Sequence, residues 1–248
     1  MKKIISMSLW CQKNPINKGC DFQTPDMYCN GALQNIELKK IFYPDWILRI
    51  YINNTVDVSL IQKFKENGVE LIDMSNSKIP GMYWRFLVMD DPQVSIFIVR
   101  DIDSRLSIRE KLAVKEWEQS DKIMHIMRDH PHHHYKILGG MWGFKNDKIN
   151  FNMELAINNF LKLKNYKFKR MDDMHFLNLL YDSMKSYTIE HDSFYQHIYN
   201  SKSFPIETKK GKYYSYVGEI YNSNNKPELL VRDKDIFINY KKHVKNKI

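Results

Sequence analysis

Short apolar runs alternate with amphipathic segments along most of the chain, a pattern typical of α/β proteins. Four runs are rich in Ile, Val and Leu and are bounded by polar or glycine residues. They predict strands over residues 3–9, 47–52, 69–74 and 94–99. A helix is predicted over 59–67, where Gly68 supplies the left-handed residue that commonly ends a helix.

The second half of the chain continues the alternation. Ser107 and Glu110 have the spacing of a capping box, which predicts a helix from there towards Glu118. A strand is predicted near 122–127, followed by an irregular Gly- and His-rich passage through Phe144 and by helices near 151–163 and 173–184. These elements predict one α/β domain over 1–248, with a mostly parallel central sheet flanked by helices.

Composition supports a globular chain and raises the question of anionic partners. The 248 residues are 43% hydrophobic, and the formal net charge is +9. Basic residues cluster at Lys162, Lys164, Lys167, Lys169 and Arg170, and again over 241–247. Such clusters are typical of a solvated basic face, or of a surface that contacts nucleic acid or an anionic membrane. We expect no stable nucleic-acid partner, and peripheral contact with an anionic membrane remains open.

Localisation is predicted from absent signals and from cysteine usage. No apolar stretch approaches the length of a membrane span, and the start of the chain lacks a signal-peptide pattern. The three cysteines, Cys11, Cys20 and Cys29, favour a reducing compartment, with a zinc site as the alternative. We therefore expect a soluble, cytoplasmic protein. Its richness in Lys, Asn and Ile favours an A/T-rich genome, microbial or viral.

Two acidic residues, Asp101 and Asp103, directly follow the fourth predicted strand. In open α/β sheets ligands bind beyond the carboxyl ends of strands, and two carboxylates there can hold a divalent cation. The same spacing also occurs where acids only cap a turn. The flanking Arg100 and Arg105 suit a site that takes a diphosphate together with the metal.

Further candidate residues lie downstream. Asp172 could cap the next helix, which would place Asp173 in its first turn, free to orient or deprotonate a sugar hydroxyl. His191 follows a short β-type run and is a suitable third ligand for Mn²⁺ or Mg²⁺.

The order of these motifs resembles that of metal-dependent glycosyltransferases of the GT-A fold, a Rossmann-like fold, and is similar to small bacterial and viral members. The matching positions are Asp101-x-Asp103, Gly139-Gly-Met-Trp-Gly143, Asp172-Asp173 and His191-Asp-Ser193. The resemblance covers most of the chain. It implies a nucleotide-binding half over 1–105 and an acceptor-binding half with a basic tail over 106–248.

The resemblance also implies roles for the first strand and for the nucleotide. Ser8, Leu9 and Trp10 would meet the nucleotide base, and Tyr28 and Asn30 to Asn35 correspond to the next stretch. A UDP-sugar is the first expectation, with GDP-sugar second. Related enzymes often have Asp-Gln or Glu-Asp where this chain has Asp172-Asp173, which leaves open which acid acts.

The His-rich passage before the glycines has several interpretations. Asp129, His130 and His132 are predicted to contact donor or acceptor sugar, with a second metal site or a structural role as alternatives. Trp142, between glycines, could offer its ring to a sugar or lie in the core. Gly140 allows the backbone to approach a ligand closely.

These signals predict transfer of a sugar from a nucleoside diphosphate sugar to a hydroxyl of a glycan, protein or lipid acceptor, with Mn²⁺ or Mg²⁺ as cofactor. Asp103 and His191 would bind the metal, Asp101 would assist, and Asp173 would act on the acceptor. Inversion and retention both remain open. The alternatives are a two-carboxylate nucleotidyltransferase or nuclease, and a non-catalytic lectin-like protein or scaffold.

Overall fold

The chain folds into a seven-stranded sheet with helices on both faces. The computed structural model describes residues 1–10, 24–146, 149, 151–167, 169, 171–207 and 215–228. The strands are β1 (Lys2–Leu9), β2 (Ile47–Ile52), β3 (Glu70–Asp73), β4 (Val94–Arg100), β5 (Met124–Arg128), β6 (Met141–Lys145) and β7 (Thr188–Asp192). The helices are α1 (Thr24–Phe42), α2 (Val58–Glu66), α3 (Gly81–Trp84), α4 (Ile108–Gln119), α5 (Met153–Leu163), α6 (Asp172–Met184) and α7 (Gln196–Tyr199), and short 3₁₀ turns cover Leu87–Asp90 and Lys185–Tyr187.

The strands lie in the order β3-β2-β1-β4-β6-β5-β7. All neighbours pair in parallel except β6, which runs antiparallel between β4 and β5. The predicted α/β class, with a mostly parallel central sheet flanked by helices, is confirmed. The prediction of an irregular passage through Phe144 is wrong over 141–144, where β6 forms.

Side chains of alternate residues on β4 enter two different cores, because successive residues of a strand point to opposite faces of the sheet. Phe97 and Val99 pack with α5 and α6. Ile96 and Ile98 pack with α1, α2 and α4 on the other face. By the same alternation, Arg100 at the end of β4 and Asp101 directly after it point to opposite faces of the sheet.

The helix starts follow the sequence signals. The side chain of Asp57 accepts a hydrogen bond from the Ser59 amide before α2 (2.7 Å), and that of Asn152 accepts one from the Leu155 amide before α5 (2.7 Å). Ser107 caps α4 by accepting from the Glu110 amide (3.3 Å). The capping box is only half formed, because the Glu110 carboxylate turns into the core. No helix in the described ranges is both long and apolar enough to cross a membrane.

Candidate functional site

The turn after β4 presents the two acidic residues of the predicted site. The Asp101 carbonyl accepts hydrogen bonds from the Ser104 hydroxyl (2.7 Å) and amide (3.3 Å). Asn35, fully buried on α1, donates its side-chain amide to the carbonyls of Ile102 (3.3 Å) and Ser104 (2.9 Å). Because Asn35 binds backbone on both sides of Asp103, it fixes the shape of the turn.

Arg85 joins Asp101 to Asp173 across the site. Its Nη1 donates to Oδ1 of Asp101, and its Nη2 lies 3.1 Å from Oδ2 of Asp173. The arginine side chain is 10% exposed and that of Asp173 12%, whereas that of Asp101 is 43% exposed. The ion pair between Arg85 and Asp173 is therefore buried, whereas the ion pair between Arg85 and Asp101 is open to solvent on the Asp101 side.

Two adjacent glycines pack against these carboxylates. A Cβ atom on Gly139 would overlap Oδ2 of Asp173 and crowd the Arg85 guanidinium, and one on Gly140 would overlap the carboxylate of Asp101. Only glycines let the backbone before β6 approach so closely. The loop before β6, the turn after β4 and the start of α6 thus converge at one place, at the carboxyl end of β4.

Burial and like charge shift the titration of this cluster. Burial, together with the neighbouring Asp101 charge, raises the pKa of Asp103 to about 7. Burial also raises the pKa of Asp173, assisted by the charge of Asp101 and opposed by the guanidinium of Arg85. The raised pKa values mean that the ionised forms of Asp103 and Asp173 are disfavoured beside the Asp101 charge. A cation close to Asp101 and Asp103 would stabilise the ionised forms of these two residues.

The donor set suits a hard divalent ion, because two carboxylates within one short turn are typical ligands for Mg²⁺ or Mn²⁺. Across the ranges that the structure describes, no three His, Cys, Asp or Glu side chains are gathered as a metal site. Asp101 and Asp103 fit such an ion as a partial set, to be completed by ligands other than a third His, Cys, Asp or Glu of the described residues.

His191 is not brought to this turn. Strands β6 and β5 separate β7 from β4, which at a strand spacing of ~4.8 Å places them roughly 14 Å apart. The His191 ring is fully buried, with Nδ1 2.9 Å from Nε2 of His125 and Nε2 3.1 Å from Oε2 of Glu116. Burial, the largest effect, lowers the pKa of His191 although Glu116 opposes the shift.

Arg100 lies on the opposite face of the sheet from Asp101. Its Nε donates to Oε1 of Glu110 at 3.2 Å, and its Nη1 donates to the carbonyls of Val99 and Trp142. The side chains of Arg100 and Glu110 are each 2% exposed. The structure therefore places Arg100 in a buried ion pair between β4 and α4, away from the place predicted for a diphosphate.

Arg105 lies beside the Asp103 turn and contacts the segment 215–228. Its guanidinium covers the Tyr221 ring at 4.7 Å, and its Nε donates to Asn225 at 3.0 Å. The Tyr221 amide donates to the Asp103 carbonyl at 3.0 Å. The segment 215–228 thus packs beside the Asp101–Asp103 turn and holds the Arg105 side chain there.

Asp172 and Asp173 have different surroundings although they are adjacent. The Asp172 carboxylate accepts from Nζ of Lys164 and from the Lys169 amide, both at 2.7 Å. These bonds outweigh the opposing effect of burial and lower the pKa of Asp172. The N-cap is Met171 and not Asp172. Asp172 secures the turn before α6, and Asp173 alone contacts Arg85.

Asp129 connects several elements. Both of its oxygens accept from the Arg109 guanidinium (2.7 and 2.8 Å), and they also accept from the Ser193 hydroxyl and the Val217 amide. With no exposed surface, this carboxylate joins α4, β7 and segment 215–228. Such an arrangement favours a structural role for Asp129 over contact with a sugar.

His130 and His132 lie together at the end of β5. Their ring centroids are 5.3 Å apart, and the His130 ring packs on Tyr216 at 4.4 Å. Nδ1 of His130 accepts from the His132 amide at 3.1 Å. Burial, followed by the neighbouring His132, lowers the pKa of His130 to about 4. This cluster holds segment 215–228 against β5.

Trp142 is a core residue, 1% exposed, with its ring edge-to-face against Phe86 and Phe97. Of the predicted nucleotide contacts, Ser8 and Leu9 end β1 and are buried. Trp10 follows, half-buried, and packs on Trp84 at 5.8 Å.

Of the three cysteines, only Cys29 belongs to the described residues. Cys11 and Cys20 lie outside them, so the zinc alternative stays a prediction.

Sequence reasoning missed Arg85 and the role of Asn35. Arg85 follows a four-residue helix, and no motif marks it. Asn35 lay within a stretch identified by resemblance, but nothing in the sequence ties it to the turn after β4. The available signal was weaker: a polar residue beside Ala32 and Ile36, which form the apolar side of α1.

Neither a family model nor a curated protein matches this chain. Solved structures similar to it include a cytidylyltransferase from Leptospira borgpetersenii, at 13% identity over 88% of this chain and 82% of that one, with a TM-score of 0.48. The glycosyltransferase GlyE from Streptococcus pneumoniae is 11% identical over 79% of this chain, with a TM-score of 0.47. The chain spans 46%, about half, of GlyE.

A third similar structure is the mannosyltransferase PcManGT from Pyrobaculum calidifontis, which was solved with GDP-Man and Mn²⁺. It is 11% identical over 71% of this chain and 50% of that one, with a TM-score of 0.44. One fold serves many reactions, and at such identities the reaction has to be argued from the site itself.

Proposed function

We propose that this protein transfers a sugar from a nucleoside diphosphate sugar to an acceptor hydroxyl. One observation carries the proposal: the Asp101–Asp103 turn and Asp173 meet at the carboxyl end of β4, joined by Arg85. The turn comes from the half over 1–105 and Asp173 from the half over 106–248. We assign donor binding to the first half and acceptor binding to the second.

Asp101 and Asp103 would hold the Mn²⁺ or Mg²⁺ ion. When bound, such an ion neutralises charge on the diphosphate of the donor. Arg105 is the basic group beside the turn, and Arg85 adds positive charge between Asp101 and Asp173. Arg85 also fixes the direction of the Asp173 carboxylate, which positions it for one orientation of a sugar hydroxyl.

Asp173 is the group that would orient or deprotonate a hydroxyl. Burial raises its pKa, and a carboxylate with a raised pKa accepts a proton more readily near neutral pH. If it lies in line with the anomeric carbon, it acts as a base and the reaction inverts configuration. If it only binds sugar hydroxyls, retention of configuration remains open. A UDP-sugar is our first choice of donor, with GDP-sugar second.

The test combines binding with product analysis. Thermal shift with UDP, GDP, CMP and their sugars, each with Mn²⁺ or EDTA, should show stabilisation by one nucleotide only when metal is present. Asp103→Asn should lose that shift, whereas Asp57→Asn, which alters an exposed cap on α2, should keep it. Release of nucleoside diphosphate, together with attachment of the sugar to an added acceptor hydroxyl and not only to water, would then identify glycosyl transfer.

Other results would contradict the proposal. Release of pyrophosphate from a nucleoside triphosphate and a sugar phosphate would identify a nucleotidyltransferase. Stabilisation by an oligonucleotide, with no response to any nucleotide, would favour a nuclease. Asp103→Asn behaving as wild type in every assay would remove the basis for assigning the metal to this turn.

A further inference from the structure

The end of α5 and the chain that follows it, residues 162–171, are strongly basic, and we call this stretch the α5–α6 connection. From Leu155 to Met171 there is no acidic residue, while five basic residues occur: Lys162, Lys164, Lys167, Lys169 and Arg170. The formal net charge of the whole chain is +9. Five of the 38 Lys and Arg residues of the chain thus lie in one short stretch without an acidic residue, directly before Asp172 and Asp173.

The same connection exposes large apolar side chains. Leu163 is 83% exposed and Tyr166 is 60% exposed, and Leu155, two turns earlier on α5, is 56% exposed. Leu155 and Leu163 both lie on the outer side of α5, and Tyr166 follows the helix in the connection to α6. The inner side of α5 is buried through Met153, Ile157 and Leu161.

The tip of the connection has a defined backbone. The Tyr166 amide donates to the Leu161 carbonyl at 2.8 Å, and the Asn165 amide donates to that of Lys162 at 2.9 Å. Asn165 and Tyr166 both adopt left-handed conformations, with φ of 50° and 55°. A left-handed tyrosine is uncommon. The tip therefore carries an exposed aromatic side chain three residues after Leu163.

The lysines divide into one internal and several external groups. Nζ of Lys164 binds Asp172 at 2.7 Å and so belongs to the structure of the turn. Lys162, Lys167 and Lys169 are exposed and have no carboxylate partner in the described part of the chain. Three positive charges without a carboxylate partner thus lie in the same short stretch as two exposed apolar side chains.

We propose that the α5–α6 connection binds the surface of an anionic lipid bilayer. Leu163 and Tyr166 enter the boundary between headgroups and acyl chains, and Lys162, Lys167 and Lys169 contact the headgroup phosphates. Positive charge alone would suit nucleic acid equally well. An exposed leucine at the centre of the basic cluster favours the bilayer, because burial there removes its apolar surface from water.

This inference goes beyond the proposed function, since it requires neither nucleotide nor metal. It has a consequence for that function, because Asp173 follows the connection directly. A bilayer bound at Leu163 would lie next to the second half of the candidate site.

The test is sedimentation of the full chain with vesicles of phosphatidylcholine, with or without a large fraction of phosphatidylglycerol. We expect binding to the anionic vesicles only. Lys162→Gln, Lys167→Gln and Lys169→Gln together should weaken it about 100-fold, at roughly fivefold for each lysine. Leu163→Ser should weaken it about tenfold, from the apolar surface no longer buried. Melting curves would establish that each variant is folded.

Two matched controls keep the result specific to this surface. Val58→Ser removes a side chain that is 79% exposed on α2 and should leave binding unchanged. The second control removes equal charge from the tail, through Lys241→Gln, Lys242→Gln and Lys245→Gln together. It should weaken binding less than substitution of the three lysines of the α5–α6 connection does.

Tryptophan placed at Leu163 adds a direct measure of insertion. Leu163→Trp should gain fluorescence quenchable by brominated lipid in anionic vesicles, and Val58→Trp should not. Equal binding to neutral vesicles, loss through the tail lysines alone, or full binding by Leu163→Ser would each overturn the proposal. Binding to an oligonucleotide that depends on the three lysines of the α5–α6 connection but not on Leu163 would replace the bilayer by nucleic acid.

Discussion

A Cβ atom on Gly140 would collide with the carboxylate of Asp101 and would lie 2.7 Å from its backbone amide nitrogen. The backbone of Asp101 cannot give way without shifting the end of β4. We therefore expect Gly140→Ala to abolish metal-dependent stabilisation by nucleotide while lowering the free energy of unfolding by only about 1–3 kcal/mol. Thermal shift with and without Mn²⁺, together with denaturant unfolding, measures both effects.

Gly139→Ala is the matched comparison for Gly140→Ala. Its added methyl group meets the far ends of the Asp173 and Arg85 side chains, which can move. Nucleotide binding should survive, and sugar transfer should fall on the order of 100-fold because Asp173 is displaced. If Gly140→Ala bound metal and nucleotide like wild type, Asp101 would not be part of the metal site.

Arg85 and Asp173 should show strong energetic coupling. Arg85→Met leaves the buried Asp173 carboxylate without its partner, and we expect the free energy of unfolding to fall by about 3 kcal/mol. With Asp173→Asn already present the cost should be smaller, giving a coupling energy of about 0.5–3 kcal/mol. Denaturant unfolding of the two single variants, the double variant and wild type completes this cycle.

Arg49 provides the control for Arg85. It is as buried and pairs with Asp91 at 2.6 Å, on β2 and away from the turn after β4. Arg49→Met should also lower stability, but it should leave nucleotide binding intact. Equal loss of binding in the two variants would show that Arg85 acts on stability alone.

Asn35 should affect the site through the turn and not through contact with ligand. Asn35→Ala removes two donors to backbone carbonyls and the acceptor for the Leu106 amide (3.0 Å). With buried groups left unpaired, we expect a loss of about 2–4 kcal/mol in stability and weaker nucleotide binding in the fraction that remains folded.

Asn67→Ala is the control for Asn35→Ala, because that exposed amide makes one comparable backbone bond, to Lys63 at 2.9 Å. Its cost should stay below about 1 kcal/mol. Unchanged affinity in folded Asn35→Ala, measured by titration calorimetry, would show that the shape of the Asp103 turn does not depend on Asn35.

The strand β4 and the acidic pair after it were predictable, because an apolar run followed by two carboxylates is a local signal. Strand alternation would also have separated Arg100 from Asp101, since adjacent residues face opposite sides. The position of His191 was not predictable without β6. Strand β6 contains a glycine and lies at the end of a passage without a clear periodicity, so the sequence did not predict it. Because β6 lies between β4 and β5, it adds one strand spacing between His191 and the Asp101–Asp103 turn.

Arg85 could not be found from sequence for a different reason. It belongs to no periodic element, and its two carboxylate partners are 16 and 88 residues away along the chain. Only tertiary packing brings them together. The tip at Tyr166 is similar, because its left-handed backbone contradicts the preference of tyrosine. Sites of this kind depend on long-range contacts that local patterns do not contain.

His130 should make the protein less stable in acid. Its pKa in the folded state is about 4, against about 6.5 in an unfolded chain. Between these values the unfolded state binds more protons, so stability is full above pH ~6.5 and is lost as the pH falls towards 4. The contribution of His130 to this loss should be on the order of 1–3 kcal/mol.

His130→Asn tests this contribution while preserving the local bond, since an asparagine oxygen can accept from the amide two residues on, as Nδ1 of His130 does from His132. Unfolding measured in urea from pH 7.5 to 4 should show a shallower decline for His130→Asn than for wild type. His197→Gln, which removes an exposed imidazole on α7, should decline like wild type. Parallel curves for all three proteins would mean that His130 is not held neutral by its packing against Tyr216 and His132.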